Sequence, residues 1–260
     1  MTGATVGPIR IEIDGAGSPI VFVHGLGGTS NSFQALLSAL EGFRRLRPDL
    51  PGSGRSPRPF RPLSMDLFVE TIAEVVEKVG GQPAHVVGHS MGALVCQHLA
   101  ARAGDWVKSL TLFGPVVDPA EAARQRLRDR ARAARQDGMI GIADMIAELG
   151  LSSSSKAGDV LLAPFVRESH MRQDPEGFAQ SCEALAGAEA ADLRFLRCPT
   201  LIVTGDEDAI APPSAAQALA DKIKGAKLKV LERCGHWTPL ERPQECAKLL
   251  SEHVRAHETA

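Results

Sequence analysis

Gly88-His89-Ser90-Met91-Gly92 is the stretch of this sequence best suited to chemistry, a serine with a glycine two positions away on each side. The pattern predicts a buried strand just before it, over Ala84–Gly88, and a helix after it, over Leu94–Ala103. A strand that turns sharply into a helix leaves no room for side chains beside the corner, so glycine belongs at both flanks. Ser90 would then stand on a strained turn with its hydroxyl exposed above a sheet, ready to attack a carbonyl. The helix N-terminus would aim backbone N–H groups at the negative charge that develops there.

A second stretch, His24-Gly25-Leu26-Gly27-Gly28, follows the apolar run Ile20–Val23. Its glycines let the backbone approach a reacting group, and the N–H of Leu26 can pair with that of Met91 as an oxyanion hole. One donor of such a pair is typically worth about 3–4 kcal/mol. The alternative, a phosphate-binding glycine loop, matches neither G-x-G-x-x-G nor the P-loop. His24 and His89 sit in tight motif loops and read as structural. His85, His98, His170, His253 and His257 show no ligand spacing such as H-E-x-x-H, so no metal is implied, and no cofactor either. Cys234 reads as a packed loop cysteine, because Ser90 already occupies the corner.

These residues need elements to hold them. Short β-branched runs alternate with longer helical patterns, which predicts an α/β protein: a mostly parallel central sheet with helices on both faces. Ile9–Ile13 alternates like an outer strand, with little before it, so a first outer strand is expected to be vestigial. Phe33, Leu36, Leu37 and Leu40 recur at helical spacing, with Asn31 or Ser32 as the cap. A strand near Arg44–Arg47 enters a Pro- and Gly-rich loop over 48–62, and Phe68, Ile72, Val75 and Val79 form the next helical stripe, ended by Gly80-Gly81. Val107–Phe113 is a further strand. From about Asp118 to Leu193 the pattern is helical throughout, broken by Ser152–Ser155, Pro164 and Pro175. Strand and helix then resume over Thr200–Thr204, Ser214–Ile223, Leu228–Leu231 and Pro243–His257. The expected organisation is a core of residues 1–117 and 194–260 with a helical cap, 118–193, inserted over the strand ends.

Five motifs, taken in order, resemble the α/β-hydrolase superfamily: His24–Gly28, Asp49–Ser56, Gly88–Gly92, Gly205–Pro212 and Gly235–Pro243. The match runs from about Ile9 to His257 except for the helical block, which occupies the family's cap position. The resemblance implies a triad in the order Ser90, Asp208, His236. His236 follows the last strand and would be the base. Asp208 stands where relatives place the acid; Asp206 and Glu207 compete with it, and relatives that carry the acid one strand earlier would make it Asp118. A serine at the corner and the absence of tyrosine set the chain apart from epoxide hydrolases, and the serine alone sets it apart from haloalkane dehalogenases. Ala93 departs from the pattern, since many relatives have a further glycine there.

The chain has 260 residues, 44% apolar and 23% charged, with a formal net charge of −2, so no whole-protein field draws nucleic acid or an anionic membrane. The five cysteines are an odd count without C-x-x-C spacing, which fits reduced thiols in a cytoplasmic protein. Residues 1–17 lack the basic and apolar segments of a signal peptide. The arginines between Arg124 and Arg135 are expected on solvated faces of a helix whose apolar line is Ala123, Leu127, Ala131 and Ala134.

The expected activity is hydrolysis of a small to medium carboxylic ester or lactone through an acyl-enzyme on Ser90, as in small esterase and enol-lactonase-like members, with a neutral, apolar acyl side. A carbon–carbon bond hydrolase of ring-cleavage products on the same triad is the alternative, followed by a non-catalytic binding protein on the same fold. The expected partner is a small-molecule substrate. The oligomeric state is left open.

Overall fold

A computed structural model describes residues 2–258 of the chain. Its eight strands are β1 (Thr2–Val6), β2 (Ile9–Asp14), β3 (Pro19–Val23), β4 (Arg44–Pro48), β5 (Ala84–His89), β6 (Val107–Phe113), β7 (Thr200–Gly205) and β8 (Lys227–Leu231). They form one sheet in the order β1-β2-β4-β3-β5-β6-β7-β8. β1 pairs antiparallel with β2, and β2 antiparallel with β4; every other pairing is parallel. The outer strand expected to be vestigial is thus a full five-residue ladder partner of β2. Gly3 and Ala4 give it too few large side chains for alternation to show in the sequence.

The central strands bury both faces, and their residues sort by parity. Val21, Val23, Val86, Leu110 and Ile202 face one apolar layer. That layer includes helices α1 (Met65–Glu74) and α2 (Met91–Arg102). Ile20, Phe22, Val87, Phe113 and Val203 face the other, made with the 3₁₀ helix Ser30–Leu40 and a long C-terminal helix, Pro243–Ala256. Within that second layer the Phe22 and Phe33 rings meet at 5.1 Å. The 3₁₀ helix is capped by Thr29, whose side chain accepts from the Asn31 N–H, rather than by Asn31 or Ser32. α1 runs on as a wide turn over Val75–Gly80 and is closed by Gly81 in the left-handed conformation, φ 73°.

Between β6 and β7 lie five α-helices, α3 (Glu121–Asp137), α4 (Ile140–Gly150), α5 (Ser153–Gly158), α6 (Leu162–Met171) and α7 (Pro175–Ala186), and a short 3₁₀ turn, Leu193–Phe195. α3 packs chiefly on α7, and α4 on α6. The serine run seen in the sequence is a helix start, because the Ser152 hydroxyl accepts from the Ser155 N–H. Pro175 begins α7 behind the cap residue Asp174. These helices rest on loops that follow the carboxyl ends of the strands. His170 and Phe178 lie against Gly27, Gly177 against the Gly52 carbonyl, and Gly150 against Trp237. The chain after β7 continues with α8 (Pro213–Lys222), then β8, α9 (Thr238–Glu241) and α10, the C-terminal helix already described. Among the described residues no helix is long and apolar enough to cross a membrane.

Candidate active site

Ser90 occupies the corner between β5 and α2 with φ 54° and ψ −119°. A non-glycine residue there costs of order 1–3 kcal/mol and persists only where its surroundings impose it. The surroundings are tight. A Cβ at Gly92 would fall 2.1 Å from the Val23 carbonyl oxygen, and one at Gly88 would fall 2.5 Å from that of Gly92. The Ser90 N–H donates to the Phe113 carbonyl at 3.0 Å, which fixes the corner to the neighbouring strand.

His236 comes from the loop between β8 and α9. Its Nε2 lies 2.8 Å from Ser90 Oγ, and its Nδ1 lies 2.9 Å from Asp208 Oδ2. The other oxygen of Asp208 accepts the N–H groups of Ile210 and Ala211 at 2.9 and 2.8 Å. Burial alone would raise the Asp208 pKa, but the neighbouring imidazole and these N–H donors hold it below the ordinary carboxylate value. The competing acids point elsewhere. Asp206 accepts the Cys234 N–H at 3.0 Å, Glu207 accepts that of Ser153 at 2.9 Å, and Asp118 pairs with Arg124 at the surface. Burial pushes the Cys234 thiol up, which leaves it protonated and inert.

The Gly25–Gly28 loop abuts the corner closely enough that a Cβ on Gly25 would sit 3.0 Å from Ser90 Cβ. Leu26 is therefore brought beside Ser90 and Met91, and neither the Leu26 nor the Met91 N–H has a hydrogen-bond partner among the described residues. His24 supports the loop from below. Its Nδ1–H donates to the Gly25 carbonyl at 2.8 Å, and its Nε2 accepts the Leu50 N–H at 2.9 Å. His89 donates from Nε2 to the His236 carbonyl at 2.9 Å, and burial drives its pKa down to about 3, so the ring is neutral.

Two residues beside the site were not singled out from the sequence. Glu241 is buried and accepts three backbone N–H groups, from Ser152 at 2.9 Å, Gly235 at 3.0 Å and Trp237 at 3.1 Å. The His236 N–H donates to the Gly150 carbonyl at 2.8 Å. Glu241 lies inside the Gly235–Pro243 motif, and its fixed distance from His236 was the available signal. The second, His170 on α6, is fully buried, with Nδ1 2.7 Å from the Val166 carbonyl. No local motif marks it.

The arginine helix departs from expectation at two positions, since Arg124 is half-buried and donates to the Ala186 carbonyl. Arg130 turns toward the buried face of α3 instead of standing on a solvated one, and its Nε is sealed from water without a partner.

Residues 20–249 match the model of the alpha/beta hydrolase family. The chain is 30% identical to the 2-hydroxymuconate semialdehyde hydrolase of a Pseudomonas species, over 96% of this chain and 92% of that one. Among solved structures it superposes on a thermophilic esterase from Thermogutta terrifontis with a TM-score of 0.91 and 27% identity, covering 98% of this chain and 97% of the other. The enol-lactonase from Burkholderia xenovorans gives a TM-score of 0.91 at 25% identity, covering 98% and 100%. The chain belongs to the alpha/beta hydrolase family and is a hydrolase.

Proposed function

We propose that this protein is a serine hydrolase that cleaves a small to medium carboxylic ester or lactone, with Ser90 as nucleophile, His236 as base and Asp208 as the acid that orients it. The reading is carried by one observation, the chain of contacts Ser90 Oγ to His236 Nε2 at 2.8 Å and His236 Nδ1 to Asp208 Oδ2 at 2.9 Å, on a strained corner. His236 takes the Ser90 proton as Oγ attacks the carbonyl, and Asp208 stabilises the imidazolium that forms. The N–H groups of Leu26 and Met91 hold the oxyanion. His236 then protonates the leaving oxygen, and a water activated by the same ring releases the acyl group. Residues 118–193 close over the site as a cap, in the cytoplasm.

A second reading, a carbon–carbon bond hydrolase on the same residues, is favoured by the 30% identity to 2-hydroxymuconate semialdehyde hydrolase, whose named substrate holds no ester.

Labelling by a fluorophosphonate tests the nucleophile. One equivalent per chain is expected in the parent and none in Ser90→Ala, with hydrolysis of p-nitrophenyl esters abolished. Undiminished labelling in the variant would remove Ser90 from the mechanism. Turnover of a ring-cleavage dienoate, with every ester and lactone left intact, would select the second reading.

A further inference from the structure

The Gly25–Gly28 loop is a tight turn. Its Gly28 N–H donates to the Gly25 carbonyl at 3.0 Å, and Gly27 sits in the left-handed region at φ 71°. A peptide unit of such a turn reorients readily, because glycine has no Cβ to oppose the change. The Leu26 N–H can serve an oxyanion only if the turn is held still, since the value of such a donor lies in its being placed before the reaction begins.

Two braces tie this turn to the segment that follows β4. The first is His24, which donates to the Gly25 carbonyl and accepts the Leu50 N–H. The second comes from the helices inserted between β6 and β7. Gln173, buried between α6 and α7, donates from Nε2 to the Gly27 carbonyl at 3.1 Å, and its Oε1 accepts the Gly54 N–H at 3.3 Å. The same Nε2 gives its other hydrogen to the Ser169 carbonyl of α6 at 3.1 Å. These partners fix the orientation of the amide, because the flipped form would turn its oxygen toward two carbonyls. Neither a carboxylate nor an apolar side chain of this length could serve all three. His170 lies alongside. It is held by the backbone of Val166 and Leu26, and a Cβ on Gly27 would come within 2.4 Å of its Cδ2. The turn is clasped on one side by a histidine next to β3 and on the other by His170 and Gln173.

We propose that Gln173 is a positioning residue for the oxyanion hole of the serine-hydrolase reading, on which this proposal rests: by holding the Gly27 carbonyl it fixes the direction of the Leu26 N–H. Gln173 meets no reacting atom and acts through Gly27 alone.

The test uses p-nitrophenyl butyrate, with active sites counted by fluorophosphonate so that kcat refers to folded enzyme. Gln173→Met keeps the length of the side chain and removes both polar atoms. It is expected to lower kcat about 30-fold, less than the roughly 10²–10³-fold typical of a deleted oxyanion donor, with KM within about twofold of the parent's. Affinity for a trifluoromethyl ketone, whose hemiketal oxygen would occupy the hole, should fall in the same ratio. A merely structural role would lower the fraction of titrated sites and leave kcat per site and ketone affinity at the parent's values; that result overturns the proposal. Gln173→Glu keeps the acceptor for Gly54 but turns an oxygen toward Gly27. Its kcat relative to the parent is expected to recover as pH falls from about 8 to about 6, since burial raises a carboxyl pKa and the protonated acid regains a donor. A ratio flat across this range counts against the role. Should Gln173→Met fail to fold, Gln173→Glu carries the same measurements. Amide hydrogen exchange needs no substrate and separates failure of the proposal from failure of the hydrolase reading. The Gly28 and Gly54 N–H groups are expected to exchange about tenfold faster in the variant. Faster exchange upholds the brace even if no ester is turned over, and unchanged rates overturn it.

Discussion

Two arginines of this protein, one buried and one half-buried, have opposite surroundings. Arg47, on β4, is wholly buried and meets Asp14 at 2.9 Å, Glu12 at 3.0 Å, Gln34 at 2.8 Å and the Ser30 carbonyl at 3.2 Å. Arg130, on α3, meets no acceptor. The histidines on either side of the Gly25–Gly28 loop do not share this contrast. His24 has partners at both ring nitrogens, and His170 is held by the backbone of Val166 and Leu26. At the sheet the Arg47 guanidinium is matched by two carboxylates of the neighbouring strand, so the cluster serves the fold.

Asp208 is a buried charge of the first kind, and removing it should have the largest effect. Asp208→Asn is expected to lower kcat by about 10⁴-fold, because the amide cannot stabilise the imidazolium or fix its tautomer. Asp118→Asn, which touches only a surface pair, should leave kcat near the parent's. A worse loss from Asp118→Asn would move the acid to the preceding strand.

Next in size is the stability of the fold. Arg47→Met strips Glu12, Asp14 and Gln34 of a shared donor and should cost about 3–5 kcal/mol in urea unfolding. Arg130→Met provides the contrast within one protein, and equal losses from the two substitutions would erase the distinction drawn between them.

The smallest effect per group comes from the buried histidines. Burial lowers the pKa of His24, His85, His89, His98, His170 and His253, with His89 brought to about 3 and His253 to about 4. Unfolding returns each to about 6.5, so between the two values the unfolded chain binds more protons. The stability these rings contribute is fully present above about pH 6.5 and is lost as pH falls toward the folded values. For His89 and His253, whose folded values are about 3 and about 4, the slope is at most about 1.4 kcal/mol per pH unit in that window. Denaturation at pH 7, 6 and 5 measures it, and a flat response would mean that the rings are already charged in the folded state.

Much of this was legible in the sequence because the information is local. The glycines around Ser90, the order of the five motifs and the alternation of strand and helix are set by residues a few positions apart. What escaped depends on how distant segments meet. β1 is defined by its ladder with β2 and not by its own side chains. Thr29 caps the 3₁₀ helix because the turn before it is extended, which the polar run Thr29–Ser32 leaves open. Arg130 flanks the apolar line of α3, so a helical wheel places it at the boundary; only the packing of α7 decides that it turns inward. His170 contacts Gly27 across 143 residues, and nothing near it in the chain announces the encounter.

Glu241 has a mechanical consequence. It joins the His236 loop to the corner of the cap between α4 and α5, and the His236 N–H to Gly150 carbonyl bond joins them again. A cap that swung open at this corner would drag His236 Nε2 out of reach of Ser90 Oγ. Opening and reactivity would then exclude each other there: the enzyme would be disarmed while the substrate enters and armed only once it is enclosed.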